Sequence, residues 1–350
     1  MLVKKDYLLH ILNRLRTASA FSAKYNITNP IWASVAVDGV EKKLSLYGRG
    51  FHFALEVCLD IDNLPTFVVD FERLRNTLIN SSDDEIDFST TGGMLIVKTE
   101  KATYKLRMLD FDFGKYKLSP PSEQIRAEGL MDELVFCSSA ASTNLMDYTK
   151  YGVVITNKGF IYSTDDTAVA TSEQSFQGLD TTFLIQLPLV SILLPLGEIT
   201  SFSLAGEVCF LNLEDNLGVK SCIKTPVLPI EYNPTILQYT KSFTPDVSIE
   251  GITTNTIKRL MITTDYDYPT VDILEKNGEH FFRSRSPQKG ETLIPITSIT
   301  GSIDRTVQVS LPQLRKVLRF FDSLSIDLDN LVLFSRKEKR MFAFGLGGRR

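Results

Sequence analysis

Histidine and cysteine are scarce in this chain, and each scarcity removes a class of chemistry. Of 350 residues, three are histidine and four cysteine. His10, His52 and His280 stand in no H-E-x-x-H, H-x-H or nucleophile-adjacent setting, which argues against a zinc hydrolase or a histidine-activated nucleophile. Cys58, Cys137, Cys209 and Cys222 form no C-x-x-C pair. Neither a disulfide framework nor a zinc knuckle is expected, and a reducing cytoplasm fits. No apolar run approaches the roughly 18–20 residues of a membrane span. The apolar N-terminal stretch is interrupted by Lys5, Asp6, Arg14 and Arg16, unlike a signal peptide. Acids gather at Asp83-Asp84-Glu85 and Asp165-Asp166, but carboxylates in turns usually face water, so no metal is expected. Gly92-Gly93 and Gly347-Gly348 lack the strand-before, helix-after context of a phosphate loop. No cofactor and no enzymatic activity are expected.

What the chain does contain is one stretch written three times. With Thr66, Thr182 and Thr306 aligned, TFVVDFERLRNTL, TFLIQLPLVSILL and TVQVSLPQLRKVL run in register without a gap. Apolar residues coincide at Phe67, Phe183 and Val307, at Val69, Ile185 and Val309, at Leu74, Val190 and Leu314, and at Leu78, Leu194 and Leu318. Further on, Ile86, Phe202 and Ile326 share an offset, as do Phe88, Leu204 and Leu328 two residues later. That spacing is the alternation of a half-buried strand. A period of roughly 115–125 residues is close to one domain rather than to a solenoid repeat.

Each repeat opens on an amphipathic helix, expected over Asp6 to about Lys24, Leu130 to about Asp147, and Thr254 to about Asp265. Leu8, Leu9, Leu12, Leu15 and Ala18 make one apolar stripe on the first. Strand pairs follow, IWASVAVDG with KKLSLYGRG, YGVVITNKG with FIYSTDD, and TVDILEKNG with HFFRSRS. Their turns use Asp38-Gly39, Asn157-Lys158-Gly159 and Asn277-Gly278, residues that accept positive φ. Pro188 and Pro312 share an offset at the first turn of the second helix, where a missing N–H costs nothing. Leu118–Gly129 and Tyr232–Gly251 lack this patterning and read as linkers. The fold class is α+β, built from three tandem repeats at 1–120, 121–240 and 241–350, each with two helices against antiparallel sheet.

The formal charge is −4, yet bases cluster where helices are expected. Lys4, Lys5, Arg14, Arg16 and Lys24 go with the first helix of repeat one and Arg73 and Arg75 with its second. Lys258 and Arg259 go with the first helix of repeat three, and Arg315, Lys316 and Arg319 with its second. If pseudo-symmetry points these helices one way, they form a positive surface for phosphates without reading sequence; otherwise they are solvated faces. Repeat two is acidic instead, with Asp132, Glu133 and Asp147.

The order NPIWASVAVDG, KLSLYGRGFHFALE, FVVDFERLRNTL, IDFSTTGGMLIVKTEKATYKLRML and DFGKYKLSPP resembles the DNA polymerase III β-type sliding clamps, and the resemblance runs through nearly all of the chain. It implies three clamp domains per chain, helices lining a central hole with sheets outside, and a head-to-tail homodimer around double-stranded DNA. It also implies a replicative polymerase and a clamp loader as partners, with no membrane and a cytoplasmic or nucleoid location. In that family a short apolar peptide enters a cleft. STDDTAVAT resembles the family's T-D-G-H-R-L segment, which puts Thr164, Asp165 and Val169 in the cleft. LPIEY resembles F-P-D-Y and adds Pro229; the C-terminal strand adds Phe344 and Leu346. Asp166, Thr167 and Ala168 depart from Gly-His-Arg, and GGRR extends the end. This divergence points to a phage or otherwise unusual replication system. Two other readings stay open: a clamp-fold scaffold that does not encircle DNA, and a nuclease using scattered carboxylates.

Overall fold

The computed structural model describes residues 2–24, 34–47, 53–62, 64–112, 118–265, 267 and 269–348. The chain packs as two compact units, one of Met1–Asp132, Phe176–Leu179 and Pro188–Pro229, the other of Glu133–Ser175, Asp180–Leu187 and Ile230–Arg350. The stretch expected as repeat two therefore contributes to both. Parts of the first strand pair, and Lys115 to Lys117 of the segment before the first expected linker, lie outside the described residues.

The repeat is visible as a pairing register. Val69 pairs with Val35, Ile185 with Val153 and Val309 with Val271, all antiparallel, and every one of these side chains is fully buried. In each repeat the strand leads straight into a helix: Phe67–Asp70 into Phe71–Ile79, Phe183–Gln186 into Leu187–Leu193, and Val307–Ser310 into Leu311–Val317. Asp70 caps the first by accepting the Arg73 N–H at 2.8 Å, which satisfies an amide the helix itself cannot. Pro188 and Pro312 are the second residues of their helices, as their missing N–H allows. Leu74, Val190 and Leu314 are buried beneath these helices, and Ile86, Phe202 and Ile326 in the strands that follow. Phe88 is buried too, whereas Leu204 and Leu328 are half-buried.

One repeat position departs from expectation. Leu78 and Leu318 are buried, but Leu194 is 55% exposed. Pro195 cannot continue an α-helix, so the chain tightens there into the 3-10 turn Leu194–Leu196, and Leu196 takes the buried place.

In the first unit, the strands Phe67–Asp70, Ser34–Asp38, Lys43–Tyr47, Ala54–Cys58, Lys220–Pro226, Val208–Glu214, Glu198–Ala205 and Ile125–Arg126 lie side by side in that order. Leu2–Lys4, Glu85–Thr91, Met94–Lys98 and Thr103–Arg107 form a smaller sheet. In the second unit, Phe183–Gln186, Gly152–Ile155, Phe160–Thr164, Ala168–Glu173, Arg340–Gly345, Val332–Lys337, Ser323–Asp327, Val247–Glu250 and Ile299–Thr300 run in order. A further sheet has the order Gly290–Pro295, Glu279–Ser286, Thr270–Lys276, Val307–Ser310 and Gly347–Gly348. Its hairpin turn holds Asn277 at φ 56 and Gly278 at φ 81, the pair of positive φ values that a tight hairpin requires.

Helix lengths also correct the sequence. The first helix spans Lys5–Lys24 and the third repeat's spans Thr254–Thr263, but the helix at Leu130 stops at Ser138. Serines end it: the Ser138 and Ser139 hydroxyls donate to the carbonyls of Val135 and Phe136 at 2.8 and 2.6 Å. Ser142 Oγ then donates to Asp147 Oδ2 at 3.2 Å in a turn that replaces the last expected helical turns, the competition such side chains offer to helix. Of the expected linkers, Leu118–Gly129 contains the two-residue strand Ile125–Arg126. Tyr232–Gly251 contains the helix Pro234–Lys241 and the strand Val247–Glu250.

Candidate functional site

The hairpin joining Phe160–Thr164 to Ala168–Glu173 is fixed by its own side chains. Asp165 Oδ1 accepts from the Thr167 N–H at 3.0 Å, the Thr167 hydroxyl at 2.7 Å and the Ala168 N–H at 2.7 Å. Thr164 Oγ1 donates to the Ala168 carbonyl at 2.8 Å. Asp166 stands at φ 69 at the tip, a left-handed conformation that aspartate tolerates better than most residues, and its carboxylate pairs with the ammonium of Lys150. The neighbouring helix Pro234–Lys241 begins where Asn233 Oδ1 accepts the Thr235 N–H at 3.0 Å, with Pro234 at the first helical position.

These elements and the strand Arg340–Gly345 enclose a cavity of about 760 Å³, a size suited to a drug-sized ligand or a few side chains. Its apolar side is built from Val169, Ile236, Val332 and Ala343. Val169 pairs directly with Ala343 across the strands, so their side chains share one face of the sheet. Phe243 packs beneath, 4.6 Å from Tyr239 edge to face and 5.7 Å from Phe334 between ring centroids. Tyr162 also lines the cavity. Burial pushes its phenol above the usual range, and a backbone hydrogen bond with Asn233 opposes this.

Of the six residues expected in a cleft, Thr164, Val169 and Phe344 line this cavity. Phe344 is deeply buried and pairs with Ala168, which puts it on the sheet face opposite to Val169. Its ring lies 6.4 Å from that of Phe342, as a core side chain. Asp165 holds the turn and does not line the cavity. Pro229 is exposed and Leu346 half-buried, and neither lines it; Ile230 and Glu231 do, and the Leu346 N–H donates to the Leu331 carbonyl at 2.8 Å. Ile236 and Tyr239 were hidden because the segment carrying them reads as a linker. The signal was present in Asn233-Pro234, a cap followed by a favoured first-turn residue, and in the apolar pair Ile236 and Leu237 that follows within one turn.

The expected basic surface divides. Arg16, Arg73, Lys258, Arg259, Arg315 and Arg319 are exposed. Lys4 is exposed but belongs to the strand Leu2–Lys4, not to a helix. Arg319 follows the helix that ends at Val317, its guanidinium 5.4 Å from the Phe320 ring centroid. Lys5 Nζ donates to the Ser81 carbonyl at 3.2 Å, and Lys316 is half-buried. Arg75 bonds Asn13 Oδ1 at 2.9 Å and Glu72 at 3.5 Å. The Lys24 side chain lies outside the described residues.

Arg14 is a structural residue instead. Its side chain is 10% exposed and pairs with Asp215 Oδ2 at 2.6 Å; it also donates to the carbonyls of Pro195 and Leu196. The stretch Leu194–Leu196 leaves carbonyls without helical partners, and this guanidinium meets them. Of the acids of repeat two, Asp132 and Asp147 are exposed, whereas Glu133 is not. Glu133 is 1% exposed and bound by Arg340 and Lys339. Among the described residues there is no group of three metal-ligating side chains and no helix long and apolar enough to cross a membrane.

No protein-family model and no curated protein matches the chain. Solved structures do. The sliding clamp of Bacillus subtilis DNA polymerase aligns over 100% of this chain and 99% of its own, with a TM-score of 0.77 at 14% identity. The DNA polymerase III β chain of Streptococcus pneumoniae gives 0.78 at 17% identity, over 99% of both chains. The Helicobacter pylori β clamp, bound to a DNA ligase peptide, gives 0.77 at 14% identity over 99% of both. The chain thus has a DNA-clamp fold of mixed helix and sheet in repeated domains. In particular, it has the fold of the DNA polymerase III β sliding clamps over its whole length.

Proposed function

We propose that this chain is a sliding clamp, a non-enzymatic processivity factor that encircles duplex DNA and holds a replicative polymerase on it. The observation carrying this reading is the clamp fold over the full chain, joined to an apolar cavity walled by Val169, Ile236 and Ala343. In this reading the domains fall near 1–120, 121–240 and 241–350. Two chains close head to tail, a clamp loader opens the ring, and the protein works in the cytoplasm of a bacterium or of a phage-infected host.

The mechanism is topological. Exposed bases such as Arg16, Arg73, Lys258 and Arg315 supply screened attraction to phosphates that holds the duplex without fixing a register, so sliding is retained. The cavity takes an apolar peptide from the polymerase; the Helicobacter pylori β clamp is itself bound to a DNA ligase peptide. Linkage then raises the polymerase's local concentration at the primer end.

The test is primer extension on a primed circular template by the cognate polymerase and loader. A clamp lengthens the products of single binding events, and a synthetic copy of the polymerase's docking peptide abolishes the gain. A scaffold that does not encircle DNA binds the polymerase and leaves product length unchanged.

A further inference from the structure

The charged groups lining the cavity are Lys150, Asp166 and Glu231, two carboxylates against one ammonium. They are not equivalent. Lys150 and Asp166 pair with each other; that contact holds the Lys150 ammonium above its ordinary pKa, and Asp147 adds to the effect. Lys150 is therefore already surrounded by negative charge. Glu231 is exposed and has no ion-pair partner among the described residues. The only lining charge left to meet a ligand is negative.

Beside the cavity, the turn leading to Thr149 and Lys150 carries a second feature. Leu145, Met146 and Tyr148 are 62%, 85% and 67% exposed. The turn that presents them is held by hydrogen bonds: the Met146 N–H donates to Asn144 Oδ1 at 3.0 Å, and the Lys150 and Tyr151 N–H groups to the Asp147 carbonyl at 2.8 and 2.9 Å. Neighbouring exposed apolar side chains on an ordered turn mark a contact surface. This one is continuous in sequence with two lining residues, and its one ionisable acid is Asp147.

We propose that the cavity selects a partner segment in which a basic residue flanks the apolar anchors, with Glu231 as the carboxylate that base meets. This rests on the reading of the cavity as the polymerase-docking site. Apolar anchors fill the volume between Val169 and Ile236, the apolar flank of the segment lies on Leu145, Met146 and Tyr148, and the acidic rim repels segments flanked by acids. Electrostatic complementarity of this kind sets partner choice and association rate more than total affinity.

The experiment uses three fluorescein-labelled synthetic peptides with one leucine–phenylalanine core and flanks of lysine, serine or glutamate, titrated with the full chain in low salt. The lysine-flanked peptide should bind about five- to tenfold more tightly than the glutamate-flanked one, and the gap should narrow at high ionic strength. Glu231→Gln should reduce the discrimination while the serine-flanked peptide keeps its affinity. Val169→Asp should weaken all three. Equal binding of the three, or a preference for glutamate that disappears in Lys150→Gln, overturns the proposal and leaves the docking site standing. If none binds, or Val169→Asp changes nothing, the docking reading itself is wrong.

Discussion

Glu133 receives two hydrogen bonds from the Arg340 guanidinium, Nε at 2.9 Å and an Nη at 3.0 Å. Lys339 Nζ approaches the same carboxylate at 2.8 Å, and Arg340 also lies 5.3 Å from the centroid of the Phe136 ring. The start of the strand Arg340–Gly345, which later passes the cavity at Ala343, is thereby fastened to the helix that begins at Leu130. Arg340→Met leaves the buried carboxylate to the partly exposed Lys339 alone, so it should destabilise this unit by at most about 3–5 kcal/mol. Urea denaturation followed by circular dichroism measures it.

The same carboxylate predicts acid sensitivity. Burial raises the Glu133 pKa, but hydrogen bonds from Arg340 and Lys339 outweigh it and hold the group below the ordinary glutamate range. A depressed folded-state pKa gives stability that is present above the unfolded pKa and lost as pH falls through the folded one. Stability should therefore decline below the usual carboxylate range, and Glu133→Gln should show a shallower decline from a lower starting value. Thermal melts across acidic pH check both slopes.

Arg14 and the exposed bases should separate cleanly. Arg73→Glu, Lys258→Glu or Arg315→Glu should each lower DNA affinity and reduce the salt slope by about one counterion for every phosphate no longer neutralised. Arg14→Met should instead lower thermal stability, because Asp215 keeps only His10 and backbone N–H groups and the carbonyls of Pro195 and Leu196 lose the guanidinium. Salt titrations on short duplex DNA, beside melting curves, distinguish these outcomes.

Within the cavity, Val169→Asp or Ile236→Asp should weaken a bound polymerase peptide by about 1–3 kcal/mol, as loss of a buried anchor does. Phe344→Ala should act mainly on stability, by about 3–5 kcal/mol, since the ring belongs to the core face. Isothermal titration calorimetry on the folded variants reads the first effect, and urea midpoints read the second.

The repeat was legible because buried strand pairing leaves a strict pattern. Val69, Ile185 and Val309 each face an equally buried valine, and a slip of one residue would turn each toward the opposite face. Proline at the second helical position was legible for a similarly local reason. The site was less so. Glu133 and Arg14 read as surface charges because a single sequence does not show which partner comes from residues about two hundred positions away. Leu194 followed the repeat on paper, but Pro195 redirected it. The cavity helix Pro234–Lys241 was missed because its proline and polar residues look like a linker when the Asn233 cap is not weighed against the apolar residues behind it.

The central claim is encirclement, and linearisation tests it most directly. The protein is loaded onto nicked circular DNA by its loader and isolated on a sizing column, and the DNA is then cut once with a restriction enzyme. If the chain forms a closed sliding ring, it stays with the circle in salt that abolishes binding to short duplexes, and it is released when the DNA is cut. Equal retention on circular and linear DNA would contradict the account.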